Sequence, residues 1–492
     1  MTTDVRGIQG TTRGRLLKRV NDALTTAGLD GAGDLAVLDP DDESVVALLP
    51  RQDALAVDRA VARAARFQSE TPILPRHERV RILEAVADIV RDEREIFTHA
   101  IASEGIKTVR EAAAEVNRCI ETLRLSAMAV HTVVGQIIPM DVTSRLASHT
   151  GYYQYRPLGV VAALTPYNDP LNLVAHKIGP ALAAGNSTVL RPDERTPLSA
   201  LLLCDAFWRA GTPLARLQIV IGAGQDVVPA LVGDRRVQAI TATGGDRLAR
   251  AIEGVTGARR VVLELGGVCP AIVTRSADLD LAAAKIGAAA YGAAGQNCLH
   301  PQAVLVEEPV HEEFLRLLSR QVSKVAVGPK DSPDTDMGPL IDQAATARVD
   351  ALVTDALERG AAYAAKGLKA PSRLHRELVV LRDVPDDAHI WRDEVFGPVT
   401  ATRAVADFDQ ALRAAAQTTG LQASVFTARL DESAAAVAGL PHAGVVINDT
   451  DMRFDGMPFG GNDSAGLGRE GPAFAVAELS SIQSVHHSVS IM

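Results

Sequence analysis

Cysteine is scarce in this chain. The 492 residues hold four, Cys119, Cys204, Cys269 and Cys298, with no C-x-x-C pair and no paired spacing. That argues against a disulfide scaffold and against a zinc site, so no metal is expected and a reduced, cytoplasmic setting follows. Long apolar runs are missing too. The most apolar stretches, such as Arg260–Val273, are short and carry Glu264, so no membrane span is expected. The start, Met1-Thr-Thr-Asp-Val-Arg, lacks a charged lead followed by an apolar run, which argues against a secretory signal. Basic charge is not in excess: 50 Lys+Arg stand against 60 Asp+Glu, a formal net charge of −10. A mildly acidic chain without a basic stripe is no candidate for binding nucleic acid or an anionic membrane. Internal repeats and low-complexity tracts are absent. What is present, 47% hydrophobic and 22% charged residues, is the composition of a globular protein. At about 150 residues per domain, the length allows two or three domains.

Residues 1–50 are polar and rich in Asp and Gly, and read as an irregular lead-in ending near Pro50. From Ala54 to Ala65, Arg76 to Ile101 and Glu111 to Val130, apolar side chains recur at helical spacing, as in Val80, Leu83, Val86, Ala87 and Val90. Gln136–Tyr155 places β-branched and aromatic residues around a Ser-His-Thr-Gly break, which predicts a hairpin. From Pro157 onward, short apolar runs (Gly159–Leu164, Ser187–Leu190, Leu217–Ile221, Val237–Thr241, Val261–Glu264) alternate with helical segments such as Leu171–Ala184 and Pro197–Ala210. That alternation predicts an α/β fold with a parallel, doubly wound sheet. The second half repeats the theme with Ala303–Val306, helices Val310–Val325 and Gln343–Arg359, and strands around Leu378–Leu381 and Gly444–Ile447. The tail Ser484–Met492 reads as an edge strand in need of a partner.

Chemistry concentrates in three places. Gly295-Gln-Asn-Cys298, after the helical run Leu281–Ala294, sets a thiol beside glycine and amides, where a substrate can approach a nucleophile closely. Glu264-Leu-Gly-Gly267 puts a carboxylate at a strand end before a glycine turn, and on this reading Glu264 and Cys298 bound one strand–helix unit; the carboxylate can activate water against a thioester on the cysteine. Pro166-Tyr-Asn168-Asp-Pro follows a strand directly, where ligands lie in doubly wound folds, and an amide there can donate to an oxyanion. Taken singly, each has a plainer reading: a buried structural cysteine, a strand-end glutamate, an asparagine in a turn.

Together with Arg156-Pro-Leu-Gly-Val-Val, Arg191-Pro-Asp-Glu-Arg-Thr-Pro, Glu394-Val-Phe-Gly-Pro398 and Pro458-Phe-Gly-Gly461, these motifs occur in an order that resembles the aldehyde dehydrogenase superfamily from Ala54 to Gly471. The resemblance implies two Rossmann-like doubly wound domains plus a β-hairpin oligomerisation element. Residues 1–135 and 156–263 would bind cofactor, 264–455 would be catalytic, and 136–155 with 475–492 would supply oligomerisation strands of a homodimer or homotetramer. It implies Cys298 as nucleophile, Asn168 as oxyanion donor, Glu264 as the base for water, and Lys177 as an aid to proton movement. For the cofactor it implies Thr165, Pro166, Tyr167, Arg191, Glu194, Thr243, Gly244, Leu265, Glu394 and Phe396. Glu194 favours NAD, since a carboxylate repels a 2′-phosphate, while Arg191 pulls toward NADP. Two stretches depart from the family pattern: Ala242-Thr-Gly-Gly-Asp-Arg247 replaces a Gly-Ser-Thr turn, and Asp463 stands where lysine is usual.

For the substrate, a small aldehyde, the likeness is to the lactaldehyde and phosphonoacetaldehyde dehydrogenase branch. Tyr167, His176, Asn297, His300, Arg118 and Arg453 are the expected pocket residues, with Arg124 a further arginine on the Arg118 helix. Asn297 stands where members acting on phosphorylated or phosphonate aldehydes carry arginine, which argues against a phosphate beside the reacting carbon. The expectation is therefore a small polar or anionic aldehyde, with neutral aliphatic or aromatic aldehydes, or a catalytically impaired protein, as alternatives.

Overall fold

A computed structural model describes residues 12–29, 33–451 and 454–488. The described part of the lead-in is not irregular. Thr12–Ala27 is a helix that buries Leu16, Val20, Ala23 and Leu24, a stripe at helical spacing that outweighs the polar composition around it. Strand β1 (Leu35–Leu38) pairs antiparallel with β2 (Val45–Leu49). Helix Ala54–Glu70 follows, its first turn capped by the Asp53 carboxylate on the Ala56 N–H. The one helix expected over Arg76–Ile101 is two, Arg76–Asp92 and Arg94–Glu104, with the break at Glu93. Five consecutive charged residues, Arg91 to Glu95, leave nothing to bury across that junction. Helix Val109–Thr132 starts in a reciprocal capping box between Thr108 and Glu111.

The expected hairpin is present as β3 (Gln136–Ile138) against β4 (His149–Pro157). Next come β5 (Val160–Leu164), β6 (Ser187–Arg191), β7 (Leu217–Ile219), β8 (Val237–Thr243) and β9 (Arg260–Glu264), parallel in the order β9-β8-β5-β6-β7. All residues of β5 and β6 are buried, as strands covered by helices on both faces must be. The order reverses between β5 and β8, so a crevice opens outside their carboxyl ends, where Thr165 and Gly244 stand.

A second sheet holds β10 (Cys269–Val273), β11 (Pro301–Glu307), β12 (Ala362–Lys366), β13 (Val379–Arg382), β14 (Val399–Val405), β15 (Gln422–Phe426) and β16 (Gly444–Ile447), ordered β12-β13-β14-β11-β10-β15-β16. Only β12 runs antiparallel to its neighbour. Strands β14 and β15 escape the sequence reading because Thr, Ala, Ser and Gln dilute their apolar signal. The chain then returns: β17 (Gly466–Leu467) pairs antiparallel with β9, and β18 (Ser480–Ser488) with β4. The tail strand thus begins at Ser480 rather than Ser484, and residues 489–492 lie outside the described part. Among the described residues no helix is long and apolar enough to cross a membrane.

Candidate active site

Helix Leu279–Tyr291 delivers the chain to Cys298 through a strained turn. Ala293, Ala294 and Gly295 all take left-handed backbone angles (φ 51°, 54° and 69°), which cost free energy at the two alanines and persist only where the surroundings impose them. A Cβ at Gly295 would meet the Gly397 carbonyl at 2.1 Å, so only glycine fits. Gln296, wholly buried, fixes the turn. Its amide donates to the Ala293 and Pro339 carbonyls (3.2 Å each), and its side-chain oxygen accepts from the Ile341 N–H (3.0 Å) and the Tyr167 hydroxyl (3.3 Å). The Gln296 backbone carbonyl accepts from the Asn168 amide at 3.0 Å, joining the loop after β5 to the nucleophile turn. Asn297 turns its carbonyl oxygen toward the Leu299 N–H (3.2 Å), and Cys298 is half-buried.

Glu264 ends β9 in the first sheet, whereas Cys298 precedes β11 in the second. Between them lie one strand, β10, and one helix, Leu279–Tyr291, so they bound a strand–helix unit as expected; that strand belongs to the second sheet, and the meeting of the two sheets brings the two residues together. The Glu264 carboxyl lies beside the Cys298 thiol and the Thr243 hydroxyl, both of which favour its ionised form. Neither of its oxygens has a regular hydrogen-bond donor. Burial first, and the neighbouring Glu470 second, push its pKa up to about 7 against the pull of Cys298, Lys177 and Thr243. Lys177 is fully buried, ion-paired with Glu470, and donates to the Thr243 hydroxyl at 2.8 Å. Thr243 thus faces this cluster, and Lys177 bears on Glu264 through charge.

Around the crevice, the Thr165 hydroxyl is buried without a partner, Pro166 is half-buried, and the Tyr167 ring meets Phe396 edge-on at 6.0 Å with Arg195 over its face at 4.3 Å. Phe396 has φ 44°. Glu394 accepts from the Gly267 N–H at 3.3 Å, and the Leu265 N–H donates to the Ala465 carbonyl at 3.0 Å. Arg191 and Glu194 form an ion pair with each other. The Gly244 N–H is taken by the Glu264 carbonyl at 3.0 Å. Helix Asp246–Glu253 has no side-chain cap, and a Cβ at Gly245 would meet nothing within 4 Å. An uncapped helix start with open approach suits a pyrophosphate, and the free Thr165 hydroxyl suits a ribose or nicotinamide, so these residues fit a nicotinamide dinucleotide.

The expected substrate residues separate. Arg118 forms a bidentate ion pair with Asp455 (2.7 and 3.2 Å) and bonds Asp169 at 3.0 Å. His176 sits 2.9 Å from the same Asp455 carboxylate and 3.3 Å from the Thr122 hydroxyl. Burial alone would raise the Asp455 pKa, but the bonds from His176 and Arg118 hold it well below the ordinary carboxylate range. Lys107 bridges Asp169 and Glu115. His300 is elsewhere in character: burial pushes it down to about 3, leaving a neutral imidazole at physiological pH. Arg124 is exposed and lies by Asp88 at 3.7 Å; Arg453 lies outside the described residues. The sequence reading missed Glu470, Asp455, Asp169, Lys107, Glu115 and Gln296. Gln296 and Asp169 stand inside quoted motifs, whereas nothing local marks Glu470 or Lys107.

The chain matches the model of the aldehyde dehydrogenase family over residues 29–485. It is 37% identical to aspartate-semialdehyde dehydrogenase 1 of Pseudomonas canavaninivorans, covering 90% of this chain and 94% of that one. It is 36% identical to 3-sulfolactaldehyde dehydrogenase of Priestia aryabhattai, covering 86% and 88%. Among solved structures, glyceraldehyde-3-phosphate dehydrogenase of Methanocaldococcus jannaschii complexed with NADP superposes with a TM-score of 0.88 at 30% identity, covering 94% of this chain and 100% of that one.

Proposed function

We propose that this chain, which belongs to the aldehyde dehydrogenase family and uses NAD(P), oxidises a small polar aldehyde to its carboxylic acid through a covalent thioester on Cys298. The observation that carries this reading is the convergence of Cys298, Asn168 and Glu264 from separate elements. The Cys298 sulfur adds to the aldehyde carbon, and the Asn168 amide, with the Cys298 N–H, donates to the resulting oxyanion. When bound, a nicotinamide would supply the hydride acceptor, and Thr165, Pro166, Tyr167, Thr243, Gly244, Leu265, Glu394 and Phe396 would hold the dinucleotide. Collapse of the oxyanion leaves the thioester. Glu264 then takes a proton from water, the oxygen bonds to the acyl carbon, and the C–S bond breaks to release acid and thiolate. Residues 1–135 and 156–263 are assigned to cofactor binding and 264–455 to catalysis. Four cysteines with no disulfide among them suit a cytoplasmic location, which cell fractionation checks.

For cofactor choice, the Arg191–Glu194 pair supports NAD, because the carboxylate occupies the guanidinium that would otherwise meet a 2′-phosphate. Glu194→Gln removes a repulsive charge and frees Arg191 together. Its NADP-to-NAD ratio of kcat/KM should rise by about tenfold or more, as an interaction of a kcal/mol or two implies. An unchanged ratio, or wild-type indifference between the cofactors, contradicts the assignment.

For the substrate, the polar cluster beside Asn168 supports a hydroxyl- or acid-bearing aldehyde. Its carboxylates (Glu115, Asp169, Asp455) stand among the donors Lys107, Arg118 and His176, so it offers both donors and acceptors to a polar group on the substrate. A buried polar site rejects an apolar analogue strongly. Semialdehydes, including amino-acid semialdehydes, and lactaldehyde should exceed hexanal and benzaldehyde in kcat/KM. His176→Ala and Arg118→Met should erase that preference, while His300→Ala should leave it. Hexanal ahead of every polar aldehyde would refute the reading.

For assembly, the sheet of β3, β4 and β18 exposes Ile137, Ile138 and Ile482, which supports pairing with a second copy. A monomer by light scattering at micromolar concentration sinks this.

A further inference from the structure

At the opposite end of helix Asn172–Ala184 from the substrate cluster lies a cavity of about 170 Å³ lined by Arg76, Arg79 and Arg156, with Tyr155, Ala183 and Ser480. The cavity is small against the roughly 300–1,000 Å³ of pockets for drug-sized ligands, so it suits a compact ion. Its charge is one-sided. Arg76 and Arg156 are exposed, and none of the three arginines has a carboxylate partner among the described residues. The acidic residue nearest in sequence, Glu78, is engaged by Arg81 (2.9 Å) and His77 (3.5 Å).

Two guanidinium groups are drawn to this end of the helix. Gly185, with φ 94°, closes it and leaves carbonyls pointing outward. Arg79 donates to the Ala183 carbonyl, and Arg216 to those of Gly185 (2.9 Å) and Asn186 (3.2 Å). A helix C-terminus carries only about half an elementary charge, too little for the arginines gathered there. The Arg79 Nε is buried without an acceptor. Burial, Arg76 and Arg216 together disfavour the Arg79 charge and push its pKa down to about 10. Helix Arg76–Asp92 also begins at this cavity with no side-chain cap, so its first N–H groups add to the positive field.

We propose that this cavity binds a small multivalent oxyanion of the phosphate class, held by Arg76, Arg79 and Arg156. Bidentate guanidinium–phosphate pairing supplies the recognition, and the site is separate from the crevice that would take the dinucleotide. The probe is inorganic phosphate, titrated calorimetrically into the full chain saturated with NAD, with chloride holding ionic strength constant. Saturation fills the dinucleotide's own phosphate positions, and aldehyde oxidation is not the readout.

One phosphate should bind per chain. The double variant Arg76→Gln/Arg156→Gln, exposed at both positions and so safe for folding, should weaken binding by about tenfold or more, as the loss of two charge-assisted contacts requires. Arg79→Gln should do the same, and basal activity should be unchanged in the double variant. Equal phosphate binding by wild type and the double variant overturns the proposal, as does no heat in the wild type. Light scattering separates the remaining source of oxyanions: a double variant of smaller assembled mass, with no phosphate heat in the wild type, would mean that the arginines hold carboxylates of a second copy, which also overturns it.

Discussion

Cys298→Ala should abolish aldehyde-dependent NAD(P)H formation, by at least about four orders of magnitude, the scale on which removal of a covalent nucleophile acts. The loss should be in chemistry and not in folding. Cys298 is only half-buried, and the turn that presents it is held by Gln296, whose bonds to Pro339, Ile341, Tyr167 and Asn168 do not involve the thiol. Cofactor binding, followed by fluorescence, should survive. The other three cysteines cannot substitute: Cys119, Cys204 and Cys269 are buried, and burial lifts each thiol, that of Cys269 to about 12, away from the reactive thiolate form. Steady turnover in Cys298→Ala would sink the mechanism, and retained activity after Cys204→Ala, remote from the nucleophile turn, is the matching control.

Glu264→Gln should split the reaction. Reduced cofactor should appear in a burst of one equivalent per active subunit, after which turnover should run about 10²–10⁴-fold below wild type, the usual contribution of a general base. The acyl-enzyme should be visible by intact-mass spectrometry. In the wild type, acid release should lose rate as pH falls through about 7, because a base with that pKa is protonated below it and ionised above it. Two neighbours move the limb in opposite directions. Glu470 raises the Glu264 pKa and Lys177 lowers it, so Glu470→Gln should shift the limb to lower pH and Lys177→Met to higher pH. Single-turnover release of acid across pH 5–9 measures this directly. A limb that stays put in both variants, or a Glu264→Gln enzyme that cycles normally, shows that Glu264 is not the base.

Much of this site was legible in the sequence because its signals are short-range. The doubly wound architecture follows from buried strand runs alternating with helices, and Cys298, Glu264 and Asn168 each stand in a compact motif at an element end. The Arg76–Ile101 helix was read one break too few because the apolar spacing resumes at Ile96 and Phe97, beyond the five charged residues where the backbone breaks. The helix at Thr12–Ala27 was passed over because composition was weighed above spacing.

What tertiary structure decided is the partner of each charged group. Lys177 meets Glu470 across 293 residues, and Arg118 meets Asp455 across 337. No local pattern encodes such a pairing, because it depends on how two sheets and a returning C-terminal segment pack. The same packing set the Glu264 pKa and gathered Arg76, Arg79 and Arg156 with no carboxylate partner among the described residues. Residue type and spacing fixed which groups are available for chemistry; burial and the company each charge keeps fixed what state those groups are in.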